Sequence, residues 1–122
     1  MSAPRELVII GAGRAGMAAA STAAGLGVDT LVLDQQPAPG GQIFRGVGQA
    51  GPARLELLGS DDQAGAEQVA SFIRSGADYQ PDTAVWSLGA EGELGILHQG
   101  KARLIRARRV VIAGGAMERP VP

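Results

Sequence analysis

At 122 residues with 45% hydrophobic types, the chain has room for one domain that buries roughly two-thirds of its unfolded surface. Eleven Lys and Arg against twelve Asp and Glu give a net charge of −1, which offers no general attraction to nucleic acid or to an anionic membrane. The absence of Cys and a single His (His98) exclude disulfides, thiolate catalysis, Fe–S ligation and Cys- or His-rich metal sites within these residues, and no metal is expected.

Leu7-Val8-Ile9-Ile10 is a short apolar, partly β-branched run that ends in Gly, the pattern of a buried strand. Gly11 to Gly16 turn the chain, and residues 14–24 are Ala-rich and helical, stopped by Gly25 and Gly27. The uncharged run 15–28 is too short to span a bilayer, and no basic region precedes it, since Glu6 cancels Arg5. The chain therefore reads as soluble and cytoplasmic. Val28 to Leu33 is a second strand, closed by Asp34, and the two strands with their helix make a right-handed βαβ unit with helices expected over the sheet. Residues 35–59, rich in Pro and Gly, read as a long functional loop or a mobile insertion.

Ser60 and Gln63 stand at capping-box spacing. Ala66, Val69, Ala70 and Ile73 follow at helical intervals up to Gly76. From Thr83 the pattern turns to strands, Ala84 to Trp86, Gly95 to His98 and Ala102 to Ile105, with hairpin turns at 89–92 and 99–100. Val110 to Ala113 is a last buried strand, closed by Gly114 and Gly115. The fold class is α/β, a Rossmann-like parallel sheet with a β-hairpin or meander insertion before the last strand.

Gly11-Ala12-Gly13-Arg14-Ala15-Gly16 is a G-x-G-x-x-G sequence that follows a strand, opens a helix and has an acid at the end of the next strand. Gly11 allows the tight turn, Gly13 lets a pyrophosphate reach the backbone, and Gly16 lets helix and strand pack closely. The helix N-terminus adds N–H donors and a partial positive charge. Asp34 is placed to accept from a ribose hydroxyl pair, and its charge argues against a 2′-phosphate and so against NADP. Arg14 either pairs with a bound pyrophosphate or faces solvent. FAD and NAD share this fingerprint. The loop from Gln35 through Gly40, Gly41 and Gln42 favours FAD, because it can run along an elongated cofactor where simple NAD domains place a helix.

The segments Val8-Ile9-Ile10-Gly11-Ala12-Gly13, Leu31-Val32-Leu33-Asp34 and Pro39-Gly40-Gly41-Gln42-Ile43 resemble the N-terminal FAD-binding part of two-dinucleotide-domain flavoproteins of the pyridine nucleotide-disulfide oxidoreductase type. The closing Val111-Ile112-Ala113-Gly114-Gly115-Ala116-Met117-Glu118-Arg119-Pro120 is similar to the α subunits of amine and opine oxidases, a group with cyanide synthase and hydroxyproline dehydrogenase-like members. The resemblance implies that FAD is the cofactor. Gly11, Ala12, Gly13, Arg14, Ala15 and Gly16 would hold its pyrophosphate, and Asp34 with Gln35 its adenosine ribose. Gly41 and Gln42 would approach the flavin, Val85 would meet the adenine by its backbone, and Ala113, Gly114 and Gly115 would pass close to the cofactor. Arg14 stands where the family usually has Pro, and Gly114 where it usually has Thr, so contacts of that Thr side chain do not carry over.

Family members are several times longer, which makes residues 1–122 the FAD-binding part of a longer flavoprotein whose other domains or subunits are its partners. The parent would oxidise an amine or imino acid by hydride transfer to flavin. The 122-residue chain alone would be inactive, carry no catalytic side chain, and self-associate through the face left for its partners. The alternative is a non-catalytic NAD- or ADP-binding module or assembly subunit. His98, with no nucleophile context, reads as solvent-facing. Lys101, Arg103, Arg106, Arg108 and Arg109 read as a solvated sheet surface rather than a nucleic-acid site, Trp86 as core or hairpin packing, and Asp61 and Asp62 as helix N-terminal charges.

Overall fold

Strand β1, Arg5–Ile10, is the centre of the molecule, with Val8 and Ile9 fully buried on opposite faces. The computed structural model describes residues 3–37, 39 and 60–113. The expected roles of Gly41, Gln42, Gly114 and Gly115 lie outside the described residues, as do the side chains of residues 60–63. Helix α1 (Arg14–Gly25) leads from β1 to β2 (Thr30–Leu33), and the two strands pair parallel with Leu7 opposite Thr30 and Ile10 opposite Leu33. Helix α2 (Ser60–Arg74) is followed by β3 (Asp78–Gln80), which adds to β2 in parallel, Val32 opposite Tyr79. Then come β4 (Thr83–Leu88), β5 (Glu93–His98) and β6 (Lys101–Ile112). The sheet order is β3-β2-β1-β6-β5-β4.

The expected α/β sheet with a meander is present, with three differences. First, the separate strands expected at 102–105 and 110–113 are one strand of 12 residues. The first half of β6 pairs antiparallel with β5, His98 opposite Lys101 and Glu93 opposite Arg106, and its second half pairs parallel with β1, Leu7 opposite Arg109 and Ile10 opposite Ile112. Continuous pairing on one side or the other keeps the backbone extended through the arginine-rich stretch. Second, β3 is a strand that the sequence reading did not identify. Third, among the described residues helices cover only one face of the parallel strands. Ile9, Met17, Ala20, Val32, Val69 and Phe72 form the core beneath α1 and α2, whereas on the other face Val8 and Leu33 pack with Leu94 and Ile96 of β5.

The buried stripe of α2 is also displaced from expectation. Val69 and Phe72 are buried, whereas Ile73 is 65% exposed. Phe72 turns inward because Tyr79 of β3 meets its ring edge-on, 5.5 Å between centroids. At the N-terminal edge of the parallel strands the Arg5 guanidinium binds both carboxylate oxygens of Asp29 (2.8 and 2.7 Å) and one of Asp78 (2.6 Å), tying the starts of β1, β2 and β3 together.

Both expected hairpin turns form. The β5–β6 turn is Gln99-Gly100, with φ of 52° and 77°, the doubly left-handed pair of a type I′ turn. Trp86 is 59% exposed and so is not a core residue, but its indole lies against the bare backbone of Gly95 on the neighbouring strand. His98 departs from the solvent-facing expectation. It is half-buried, with Nδ1 3.0 Å from Thr83 Oγ1 across the β4–β5 pair. Among the described residues, no helix is long and apolar enough to cross a membrane.

Candidate nucleotide site

The turn from β1 into α1 is built from three glycines with three different reasons. Gly11 has a φ of 109° that side chains rarely adopt, and its N–H donates to Leu33 O at 2.7 Å, which locks the turn to the end of β2. At Gly16 a Cβ would stand only 1.9 Å from Gly11 O, so the glycine is what allows α1 to sit against the turn. Gly13 is different. It is the N-cap of α1 with φ −79° and ψ −164°, a conformation open to any residue, and a Cβ there would meet nothing within 4 Å. Nothing among the described residues requires a glycine at 13.

The start of α1 carries no capping side chain and no acidic residue in its first turn. Its N–H groups and dipole therefore suit an anion. Arg14 and Ala15 are exposed there and Ala12 is buried. Ala113 closes the other side of the turn: its N–H donates to Ile10 O at 2.8 Å, and its Cβ lies 3.5 Å from the position a Gly16 Cβ would take.

Asp34 stands at the C-terminal end of β2 and is 8% exposed. Burial raises its carboxyl pKa above the ordinary value, and the backbone N–H groups of Gln36, Ala12 and Gln35 oppose this only in part. Its Oδ2 is buried with no hydrogen-bond partner among the described residues. A buried carboxylate oxygen without a donor is costly, and a ligand hydroxyl would supply one.

Thr83 N–H donates to Asp34 O at 2.8 Å and Asp82 N–H to Gln36 O at 3.1 Å, which joins the start of β4 to the end of β2. Val85 follows on β4 opposite Ile96, half-buried. Gln35 is exposed and borders an open cavity of about 410 Å³ together with Asp82, Thr83 and Ala84. A larger, more apolar groove of about 640 Å³ lies at the opposite end of α1, by Thr22, Leu26 and Arg108, away from the glycine turn. The smaller cavity is the one on the side of the acid, since Gln35 follows Asp34 and Thr83 N–H donates to Asp34 O. Within the described residues the structure thus gathers Gly11, Ala12, Gly13, Gly16, Asp34 and Ala113 at one edge of the sheet, with Gln35 and Val85 alongside. The sequence reading missed Asp82 and Thr83, because nothing in their residue types separates them from ordinary strand and turn residues.

The family model described as pyridine nucleotide-disulphide oxidoreductase matches residues 5–122. An opine oxidase subunit of Rhizobium meliloti (strain 1021) is 43% identical over 117 residues, covering 96% of this chain and 26% of that protein. A ferredoxin–NADP reductase of Saccharopolyspora erythraea is 32% identical over 129 residues, 96% of this chain and 37% of that protein. Among solved structures, the L-proline dehydrogenase from P. horikoshii superposes with a TM-score of 0.71 at 20% identity, covering 98% of this chain and 24% of that one. The chain spans about a quarter of the length of the opine oxidase polypeptide it matches.

Proposed function

The chain belongs to the pyridine nucleotide-disulphide oxidoreductase family, and from that membership we propose that residues 1–122 form the FAD-binding domain of a longer flavin-dependent oxidoreductase that oxidises an amine or imino acid. Gly13 carries the reading. It is a glycine in a conformation that needs none, with nothing among the described residues within 4 Å of where a Cβ would stand, at a helix N-terminus where a pyrophosphate can come against the backbone. The orphaned Oδ2 of Asp34 fits the same group, since a ribose hydroxyl would supply the missing donor. Gly11, Ala12, Arg14, Ala15 and Gly16 complete the diphosphate turn, Gln35 and the Val85 backbone flank the adenosine, and Ala113 lies beside the turn. Gly41, Gln42, Gly114 and Gly115 are assigned to the cofactor by the resemblance alone.

Bound flavin would supply the acceptor for a hydride from a C–H next to nitrogen, and the protein holds and orients it. The 43% identity to an opine oxidase polypeptide supports the amine or imino acid as substrate class, with the remaining domains or subunits as partners.

The test is Gly13→Ala, with ADP and FAD affinity measured by calorimetry. The variant should fold with a loss of about 1 kcal/mol at most, the cost of Ala at an N-cap. Its nucleotide affinity should fall more than tenfold. Unchanged affinity in a folded variant would remove the assignment. Release of ADP or NAD in place of flavin on denaturing the purified protein would favour a nucleotide-binding module without flavin.

A further inference from the structure

Tyr79 has no part in the scheme above, yet it stands on β3, paired with the strand that leads into Asp34. It stands opposite Val32, and its ring packs on Phe72, so it projects from the helix-covered face of the sheet. Asp34 follows Val32 by two positions and projects to the same face. The ladder between the two strands continues to that point, with Asp34 N–H donating to Gln80 O at 3.1 Å. A tyrosine leaning along β3 brings its hydroxyl up toward the Asp34 carboxylate. The electrostatics agree: burial pushes the Tyr79 phenol pKa up, and the charges of Asp34 and Asp82 push it further in the same direction.

Among the described residues, two buried side-chain polar atoms lack a hydrogen-bond partner, Asp34 Oδ2 and the Tyr79 hydroxyl. One is an acceptor and the other a donor. A phenylalanine at 79 would fill the same space against Phe72 without stranding a hydroxyl, so the oxygen costs the ligand-free fold stability. A sugar hydroxyl both donates and accepts, and one placed between the two atoms satisfies both.

We infer that Tyr79 is a specificity-determining residue of the nucleotide site, its hydroxyl donating to the same ribose hydroxyl that donates to Asp34 Oδ2. The site is thereby selective for nucleotides that carry this one sugar hydroxyl. This rests on the nucleotide reading given under Proposed function.

The experiment compares wild type and Tyr79→Phe by calorimetric titration with ADP, 2′-deoxy-ADP and 3′-deoxy-ADP, and by thermal melting without ligand. Tyr79→Phe should weaken ADP about tenfold, equivalent to about 1.4 kcal/mol. That loss should vanish for whichever deoxynucleotide lacks the bridging hydroxyl, and the ligand-free variant should melt at or above the wild-type temperature. Unchanged ADP affinity, or an equal loss with both deoxynucleotides, would overturn the assignment, and a lower melting temperature would return Tyr79 to core packing. If the wild-type chain binds none of the three nucleotides, the nucleotide reading itself fails. If it binds ADP and is indifferent to Tyr79→Phe, only the role of Tyr79 falls.

Discussion

Replacing Gly16 by Ala tests the packing of helix on turn. The added Cβ would lie 1.9 Å from Gly11 O, and real Cβ contacts stay beyond about 3.0 Å, so the two must separate by about 1.1 Å. Neither partner has a rotamer to change, because one is helix backbone and the other a carbonyl fixed by the Gly11 N–H bond to Leu33. Helix α1 must lift off β1 and loosen Met17 and Ala20 from the core they share with Ile9. Overpacking of this kind costs about 3 kcal/mol, the upper end of the usual range. Ala gains about 1 kcal/mol over Gly within a helix, leaving a net loss of about 2 kcal/mol. For a chain of this size that lowers the melting temperature by about 8 °C. Gly25→Ala is the control: it lies in the same helix, nothing stands within 4 Å of its Cβ, and it should be neutral or slightly stabilising. Thermal melts followed by circular dichroism decide the matter. A Gly16→Ala variant that melts at or above wild type would show that the close helix–turn contact is not what this glycine serves.

Gly95→Ala would put a Cβ 2.6 Å from Trp86 Cε2 and Cζ2, so the indole must swing away. Trp86 is the only tryptophan, and its emission should shift to the red; an unchanged spectrum would count against the stacking. Gln99→Asn should raise stability by about 0.5 kcal/mol in urea titration, because Asn tolerates the left-handed backbone of this turn better than Gln. Asp34→Asn has a pH signature. Burial raises the folded pKa above the ordinary 3.8, so this group's contribution is full below the unfolded value and is lost as pH rises through the folded one. The ligand-free Asn variant should therefore melt at or above wild type at pH 7 and lack that decline, while binding ADP about 1–3 kcal/mol more weakly. A wild type that gains stability relative to the variant as pH rises from 4 to 6 would contradict the burial of this carboxyl.

The features legible in the sequence were those set by local residue chemistry. Gly11, Gly16 and Asp34 announce a strand–turn–helix with an acid on the next strand, and Gln99-Gly100 announces a two-residue turn whatever surrounds it. The rest depended on neighbours distant in sequence. Asp78-Tyr79-Gln80 has no alternation of its own and becomes a strand by pairing with β2. The arginines at 106, 108 and 109, all exposed, look like an interruption, yet β5 and β1 hold the backbone extended on either side of them. Spacing alone placed Ile73 inside, whereas the edge-on contact of Phe72 with Tyr79 sets the rotation of α2. The buried, unpartnered Tyr79 hydroxyl could not be foreseen at all, since its position follows from the register of β3 on β2.

The long strand β6 has a consequence for the order in which the molecule forms. β1 and β2 can pair as soon as α1 is made, but β1 acquires its second neighbour only when Ala107–Ile112 arrives from the far end of the sequence. Closing so large a loop costs entropy before any contact repays it, whereas the β4–β5–β6 meander needs only short-range closures. Two subassemblies should therefore form quickly and dock slowly, with the parallel pairing of β1 and β6 as the joining event. Ala113 reaches Ile10 only at that moment. The glycine turn is thus completed last, and a nascent chain would become able to hold a nucleotide only after the two halves have met.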